Sequence, residues 1–405
     1  MKRVAVTGLG LVTPVGTGRD TFWTSIIEGR SGVAEVRSFD TSDYHVHLGA
    51  EVDDFEPEAY VRQDFSQMGR ASRLAIGAVR QALDDSGLSG EWDDPRRVGI
   101  CMGTTSGEPL FVEAYNDAKH RSEPLTAPKT TFGRYPCYWI ASHVAAEFDS
   151  QGPCMVIPTA CAAGNYAIAS GFDWIRSGVT EVVLAGGADA FSRIPYAGFA
   201  RLGAIAPDCC RPFDRNRKGM IPGEGAGALV LEEWSAARAR GATIYAEVLG
   251  YGLSCDAHHM TAAHPEGEGA MQAMQGALRS AGMTSDDVDY ISAHGTGTPT
   301  NDRVEAIALT RVFGDRAPNV PMSSIKSMLG HTMGAASAIE AATCALALSR
   351  GVIPPTMNYE ESDPECEVDC VPNEARETKP RVALNNAYAF GGNNASLCLG
   401  RVEAA

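Results

Sequence analysis

The sequence lacks the features of a membrane-spanning, secreted or nucleic-acid-binding protein. Its first apolar run, residues 4–10, is too short and too interrupted by glycine to be a signal peptide or a membrane span. The chain carries 34 Lys and Arg against 50 Asp and Glu, a net charge of -16, whereas nucleic acids and anionic membranes attract basic surfaces. We therefore expect a cytoplasmic protein that binds neither nucleic acid nor membrane.

The cysteines lack the spacing of a metal site. There are 11 of them in 405 residues without a secretory signal, and we expect reduced thiols. No Cys-x-x-Cys pair occurs, since Cys209 and Cys210 are adjacent and three residues separate Cys366 from Cys370. Structural zinc sites commonly use such pairs. We therefore expect no bound metal.

Predicted strands and helices alternate in the first part of the chain. Apolar runs predict strands, and apolar residues at three- and four-residue spacing predict helices. The predicted strands cover 4–6, 98–104, 155–157, 181–187 and 225–232, and the helices cover 19–28, 68–86 and 138–148. Residues 8–10 are predicted to form a glycine turn after the first strand. Residues 108–133 are predicted to form an irregular, aromatic segment, which is either a long functional insertion or a subunit contact.

The second part repeats this order. Its predicted elements are strands at 245–251, 290–293, 381–386 and 395–399, and helices at 269–282, 302–313 and 333–349. The closing hairpin signals, residues 223–229 and 391–397, are also similar. These repeats predict a duplicated α/β unit with parallel-rich sheets. Because no Pro-, Ser- or Gly-rich spacer separates the halves, 1–243 and 244–405, we expect them to pack together.

A cysteine and two histidines are the candidate reactive groups. Cys161 stands after a predicted strand, at the head of an apolar helix of small residues. There a thiol faces unpaired backbone N–H groups and the positive end of the helix dipole, which favour the thiolate. His294 and His331 follow far downstream in glycine-flanked loops. Two imidazoles converging on one thiolate indicate acyl transfer to sulfur followed by a second chemical step.

Polar and glycine-rich segments surround these histidines. Lys326 precedes His331 by five residues, and its charge would influence the protonation of that ring. Residues 295–298, Gly-Thr-Gly-Thr, offer hydroxyls to a polar arm of a substrate. Residues 390–394, Phe-Gly-Gly-Asn-Asn, form a turn that could aim a backbone N–H at a developing oxyanion. The same turn is equally compatible with a plain hairpin.

Together these motifs resemble those of β-ketoacyl-acyl-carrier-protein synthases. The cysteine helix, the strand at 223–229, the two histidine loops and the closing Phe-Gly-Gly-Asn-Asn turn occur in that family's order and spacing over essentially all 405 residues. The resemblance implies a thiolase-like fold of two α/β halves in five layers, αβαβα. It favours the elongating class, which includes synthase II and type II polyketide ketosynthases. Thiolases and initiating synthases fit worse because this chain carries His331 after Lys326.

The resemblance also implies a reaction, a ping-pong decarboxylative Claisen condensation. Cys161 would accept an acyl group from the phosphopantetheine arm of an acyl-carrier protein. The backbone N–H groups of Cys161 and Phe390 would form the oxyanion hole, and Phe390 would also act as a gate. His294 and His331 would then promote loss of CO2 from a malonyl group. Which histidine is base and which is donor stays open.

Supporting roles follow from the same resemblance. Lys326 is expected to order His331 and the adjacent Glu305. Thr296 and Thr298 resemble the pair that hydrogen-bonds the pantetheine amides. No bound cofactor is expected, because the substrates arrive on the carrier arm. The partners would be acyl-carrier protein and either an identical subunit or a homologue of the chain-length-factor type.

Departures from the family pattern concern substrate choice. The acyl pocket is expected to include Ser106, Tyr138 and Phe199, and Ser106 stands where synthase II commonly has isoleucine. These departures favour a pathway-specific ketosynthase of a type II polyketide or specialised fatty-acid system over a housekeeping elongating synthase. A CoA-dependent thiolase and a non-catalytic chain-length factor are further alternatives, and Cys161 argues against the latter. Position and charge predict a carrier-docking face at Arg62, Arg70, Arg73 and Arg201.

Overall fold

The computed structural model describes residues 2–124 and 128–403. The helices of these residues are numbered α1 to α12 in chain order. They span Arg19–Ile27, Arg70–Ser86, Leu110–His120, Pro128–Arg134, Tyr138–Glu147, Ala163–Arg176, Arg193–Arg201, Trp234–Ala239, Glu268–Ala281, Pro299–Phe313, Lys326–Leu329 and Ala336–Arg350. Across the described residues, no helix combines the length and apolar character needed to cross a membrane.

The strands of the same residues are numbered β1 to β15. They span Val4–Thr13, Gly16–Thr17, Ala34–Glu35, Leu48–Gly49, Val98–Gly103, Cys154–Ile157, Val182–Asp189, Gly225–Glu233, Ala246–Cys255, Tyr290–Ser292, Met322–Ser323, Val352–Ile353, Arg376–Glu377, Val382–Tyr388 and Asn393–Gly400. The long strands β1, β5, β7, β8, β14 and most of β15 are buried on both faces, which is the burial expected of strands covered by helices on both sides.

The strand order confirms the duplication. The first half of the main sheet runs β6-β5-β7-β8-β1, and the second half runs β11-β10-β14-β15-β9. In each half the first two pairings are parallel and the next two are antiparallel. The prediction of parallel-rich sheets is therefore wrong. In each half only the fourth strand, β8 or β15, runs opposite to the other four, and this one reversal makes two of the four pairings antiparallel. The pairings of β1 with β2 and β9 are antiparallel as well.

Helices fill the space between and outside the two half-sheets. Helix α6 packs on β5 and β7, α12 packs on β8 and β14, and the two helices contact each other. On the outer faces, α2 covers β1 and β8, and α9 covers β9 and β15. The layers are therefore helix, sheet, helix, sheet, helix. This arrangement is the expected five-layered fold.

The first strand joins the two halves. β1 pairs with β8 from Val4 to Val12 and also with β9 from Val4 to Val6. The predicted glycine turn at residues 8–10 is therefore wrong, because β1 continues through it. A Cβ on Gly8 would lie 2.0 Å from a backbone oxygen of α2, and one on Gly10 would lie 1.7 Å away. The two glycines let the helix approach the strand.

The predicted irregular insertion contains two helices, α3 and α4, on either side of residues 125–127, which lie outside the described residues. The prediction of an irregular segment is therefore wrong. Helix α3 is tied to the start of α7, since the Ser192 hydroxyl and the Ile194 N–H both donate to Glu113. The aromatic side chains Phe132, Tyr135 and Tyr138 are exposed in this single chain.

Candidate active site

Cys161 lies where the two halves of the protein meet. Strand β6 ends at Ile157, residues 160–162 form a 3-10 turn, and α6 starts at Ala163. A Cβ on Gly164 would lie 2.5 Å from the backbone nitrogen of Ala338 in α12. The small residues after Cys161 therefore allow the start of α6 to contact the helix of the other half. This contact brings the cysteine beside the histidine loops, although the three residues are distant in sequence.

The two histidines converge on the sulfur. His294 follows β10, and His331 follows α11. The Nε2 atom of His331 lies 3.1 Å from the Sγ of Cys161. The imidazole rings stand 5.6 Å apart, centroid to centroid, at an interplanar angle of 82°. All three side chains are buried. The geometry allows both rings to reach a group bound to the sulfur.

A backbone contact sets the tautomer of His331. The Met333 N–H donates to Nδ1 of His331 over 3.2 Å. A neutral imidazole that accepts at Nδ1 carries its proton on Nε2, and that nitrogen faces the sulfur. His331 is therefore arranged as a hydrogen-bond donor. The candidate ligand atoms of Cys161, His294 and His331 lie within 4.8 Å of one another, as in some metal sites. A metal on Nε2 of His331 would move the ring proton to Nδ1, which faces the Met333 N–H donor, so this ring is not arranged as a metal ligand.

The loop of His294 is held by a carboxylate from the neighbouring helix. The backbone N–H groups of His294 and Gly295 donate to the two oxygens of Glu305, each over 2.8 Å. Glu305 lies on α10 and is fully buried. Burial raises its pKa to about 7, and the two N–H bonds and the Lys326 charge oppose that rise. The Nδ1 atom of His294 has no hydrogen-bond partner among the described residues.

Burial and a nearby lysine keep both imidazoles neutral. The pKa of His331 is lowered well below its ordinary value, first by burial and then by the Lys326 charge. The pKa of His294 is lowered well below its ordinary value by burial, by Lys326 and by His331. At neutral pH both rings are therefore uncharged. Each can donate one hydrogen bond, and neither carries a positive charge.

Lys326 pairs with Glu340, a residue that belongs to none of the sequence motifs. Its ammonium group donates to Glu340 of α12, and both side chains are buried. Burial raises the pKa of Glu340 to about 7, and Lys326 opposes this rise. The expected contact with Glu305 is replaced by this ion pair, since Glu305 binds backbone N–H groups instead. The available signal was that Glu340 is the one acidic residue in the helix Ala336–Arg350, which consists mostly of Ala, Leu and other small or apolar residues.

The thiol is less acidic than its position before a helix suggested. Burial raises the pKa of Cys161 to about 11, while the Lys326 charge and the backbone N–H groups of Cys161 and Phe390 lower it. The expectation of a favoured thiolate is therefore wrong for the unacylated protein, because desolvation outweighs these groups. The two N–H groups that approach the sulfur are those expected to form the oxyanion hole.

A cavity of about 140 Å³ leads to the three reactive residues. Phe199, Thr296, Thr298 and Phe390 are among its lining residues. The two threonine hydroxyls are 2.8 Å apart, and the two phenylalanine rings lie 5.7 Å apart, centroid to centroid. The sites expected for the pantetheine arm and for the gate therefore belong to one cavity.

Two residues expected in the acyl pocket lie outside this cavity. Ser106 and Tyr138 do not line it. The backbone N–H of Ser106 donates to Asp189 over 2.9 Å, and half of Tyr138 is exposed. Of the expected pocket residues, only Phe199 lines the cavity beside the sulfur within the described part of this single chain.

The four predicted docking arginines differ in their surroundings. Arg62 and Arg201 are exposed, and Arg73 is half-buried. Arg70 donates two hydrogen bonds to the buried Glu224, over 2.8 and 2.7 Å. Arg70 is therefore engaged in an ion pair within the protein. Of the four arginines, only Arg62 and Arg201 have exposed side chains.

The fold and the site define an acyltransferase of the condensing class. The family model for the N-terminal domain of β-ketoacyl synthase matches residues 1–237. The model for the C-terminal domain of β-ketoacyl synthase matches residues 245–360. The chain belongs to the β-ketoacyl synthase family.

Similar proteins come from polyketide and fatty-acid systems. The ketoacyl synthase alpha subunit of the tetracenomycin polyketide synthase of Streptomyces glaucescens is 40% identical over 99% of this chain and 97% of that protein. The 3-oxoacyl-[acyl-carrier-protein] synthase 2 of Synechocystis sp. is 37% identical over 99% of both chains. The solved structure of the ishigamide ketosynthase/chain length factor has a TM-score of 0.95 and 44% identity, covering 99% of this chain and 100% of that one.

Proposed function

We propose that this chain is a pathway-specific ketosynthase that condenses a Cys161-bound acyl chain with malonyl-acyl-carrier protein. The observation that carries the proposal is the pair of neutral histidines beside the thiol, with His331 Nε2 3.1 Å from the sulfur. Neutral donors suit a reaction in which loss of CO2, and not a strong base, generates the carbon nucleophile.

The first half-reaction transfers the acyl group to the protein. The Cys161 sulfur attacks the thioester carbonyl of the acyl-carrier protein, and the backbone N–H groups of Cys161 and Phe390 stabilise the resulting oxyanion. The carbon–sulfur bond to pantetheine breaks, and the proton of the cysteine passes to the departing pantetheine sulfur. Thr296 and Thr298 would hold the amides of the arm.

The second half-reaction forms the new carbon–carbon bond. The bond between the malonyl carbon and its carboxylate breaks, CO2 leaves, and the electron pair remains as a thioester enolate. His294 and His331 donate hydrogen bonds to the enolate oxygen, because each neutral ring carries one N–H. The enolate attacks the acyl carbon, the bond to Cys161 breaks, and the thiolate regains a proton from solvent.

Supporting residues hold these groups in place. Glu305 fixes the loop of His294 through two backbone N–H groups. The Lys326 charge lowers the pKa values of both imidazoles, and Lys326 forms an ion pair with the Glu340 carboxylate. No resident cofactor or metal enters this scheme. The functional division falls at 243/244, with the nucleophile in the first half and both histidines in the second.

The partners follow from the substrate and from the relatives. The name of the Synechocystis relative includes an acyl-carrier protein, and the ishigamide relative is a ketosynthase/chain length factor. We propose a dimer with either an identical subunit or a homologue of the chain-length-factor type. Its contact would cover Phe132, Tyr135 and Tyr138, which are exposed in this chain. In that dimer Ser106 and Tyr138 would contribute to the acyl pocket.

Incubation of the protein with a panel of acyl-carrier proteins, followed by intact-mass analysis, tests the proposal. A mass increase equal to the acyl group, located on Cys161, is expected for the physiological chain. Subsequent malonyl-acyl-carrier protein should remove that mass and release CO2. Acceptance of only general fatty acyl chains would favour the housekeeping alternative. Condensation with CoA thioesters and no CO2 release would favour a thiolase.

A further inference from the structure

Asp189, at the end of β7, joins two loops of the site and is completely buried. One carboxylate oxygen accepts the Thr104 hydroxyl and the Ser106 N–H, each over 2.9 Å. The other accepts the N–H groups of Thr105 and Gly334, each over 2.7 Å. The four donors belong to two loops, 104–106 of the first half and the loop after His331 of the second.

The second of these loops has little tolerance for movement. A Cβ on Gly334 would lie 2.5 Å from the backbone of Thr104, so the two loops are in direct contact. The preceding residue, Met333, has a positive φ of 55°, a conformation that residues with side chains rarely adopt. Such a backbone persists where its surroundings hold it. The Asp189–Gly334 bond is one such constraint, one residue away.

The same strained residue sets the tautomer of the catalytic ring. The Met333 N–H donates to Nδ1 of His331, which leaves the proton on Nε2, 3.1 Å from the Cys161 sulfur. A chain of contacts therefore runs from the carboxylate through Gly334 and Met333 to the ring. Rotation of the Met333 peptide would remove the N–H donor that keeps the proton off Nδ1.

We propose that Asp189 is a positioning residue that acts through Gly334 and Met333 to hold His331 as an Nε2–H donor aimed at Cys161. The inference about condensation rests on the proposed function, while the inference about the tautomer does not. A carboxylate suits the position because it has two acceptor oxygens for four donors. In Asp189→Asn, one of those oxygens becomes an NH2 group that faces two donors.

A double-mutant cycle with Asp189→Asn and His331→Ala tests the kinetic part. Misplacement of a catalytic group costs on the order of 10²-fold, and we expect the Asp189→Asn change to slow condensation by about that factor. Acyl loading of Cys161 should suffer less. In the His331→Ala background, the same change should cost less than about threefold, because residues that act through one another are non-additive. Fully additive losses would overturn the proposal.

The control is Asp214→Asn. Asp214 is another buried carboxylate, and it accepts backbone N–H groups from Asn216, Glu360 and Glu361 over 2.6 to 2.7 Å. Whatever its size, the loss of condensation rate caused by Asp214→Asn should be additive with the loss caused by His331→Ala. If Asp189→Asn does not fold, Thr104→Val removes a single donor to the carboxylate. We expect a smaller loss that is again absent in the His331→Ala background, and an additive loss would contradict the proposal.

A second readout does not depend on activity. In protein labelled with ¹⁵N-histidine, the His331 signals, identified by their absence in His331→Ala, report which ring nitrogen is protonated. The wild type should show the Nε2–H tautomer, and Asp189→Asn or Thr104→Val should show a mixture. An unchanged tautomer in these variants would refute the positioning role. A changed tautomer in a protein that does not condense malonyl thioesters would refute the proposed function alone.

Discussion

Replacement of Lys326 by methionine should destabilise the fold in a way that depends on pH. The change removes the positive partner of Glu340 inside the protein, where both side chains are buried. Removing one member of a buried ion pair typically costs about 3–5 kcal/mol, because the remaining charge loses its partner. Glu340 escapes part of this cost by binding a proton, since burial already raises its pKa to about 7.

The sign of the pH dependence follows from that proton. Without Lys326 the pKa of Glu340 rises further, so that the folded variant binds a proton that the unfolded chain and the wild type release. Above about pH 7, the deficit of Lys326→Met relative to the wild type should grow by about 1.4 kcal/mol per pH unit until the new pKa is reached. Below pH 6 the deficit should be smallest.

Urea unfolding at pH 6, 7 and 8, monitored by tryptophan fluorescence, measures these free energies. The double variant Lys326→Met/Glu340→Gln is the control, since it carries no buried charge at either position. Its free energy of unfolding should exceed that of the single variant at pH 8 and should vary less with pH. An equal deficit at all three pH values, or a double variant no more stable than the single one, would refute the reasoning.

Four further outcomes concern the chemistry. Cys161→Gln should abolish acyl loading yet retain or gain malonyl decarboxylation, measured as CO2 release, because the amide resembles the acylated thiol and the histidines remain. His294→Ala and His331→Ala should each slow condensation by on the order of 10²-fold or more. Acyl loading of Cys161, measured by intact mass, should suffer less. Equal losses of acyl loading and of malonyl decarboxylation would show that the histidines act on the thiol and not on the malonyl group. Since both histidine pKa values are well below the ordinary value, the ring signals of the two residues in ¹⁵N-histidine-labelled protein should not titrate until well below about pH 6.5; a titration midpoint at or above that value would contradict neutral imidazoles. In the proposed dimer, where Ser106 would contribute to the acyl pocket, Ser106→Ile should shorten the longest acyl group accepted, since overpacking costs about 1–3 kcal/mol; identical product chain lengths would place the pocket floor elsewhere.

The sequence predicted the parts of the structure that local patterns determine. Alternating strands and helices in two similar halves predicted the duplicated α/β unit, and the resemblance to β-ketoacyl synthases implied its five layers. The motifs at Cys161, His294 and His331 lie at the ends of strands and helices, and the structure brings their side chains together. Short motifs succeed here because each contains its reactive residue and the glycines or small residues that expose it.

Other features depend on contacts between distant segments. Glu340 and Asp189 lie in no recognisable local motif. Only the folded chain shows that Glu340 binds Lys326 and that Asp189 binds the loop after His331. The raised pKa of the Cys161 thiol is a balance between burial and neighbouring charges, which helix position alone does not determine. The antiparallel pairings of β8 and β15 were missed because periodicity predicts strands and not their directions.

A single-turnover experiment tests the central claim most directly, that Cys161 carries the acyl chain and the two neutral histidines act on the malonyl group. Wild type, His331→Ala and Cys161→Ala proteins would be loaded from acyl-carrier protein and mixed with malonyl-acyl-carrier protein, with intact mass and CO2 followed together. The wild type should lose its acyl mass as CO2 appears, and His331→Ala should hold the acyl group while CO2 release is slow. Normal acyl loading of Cys161→Ala, or rapid CO2 release from His331→Ala, would contradict the account.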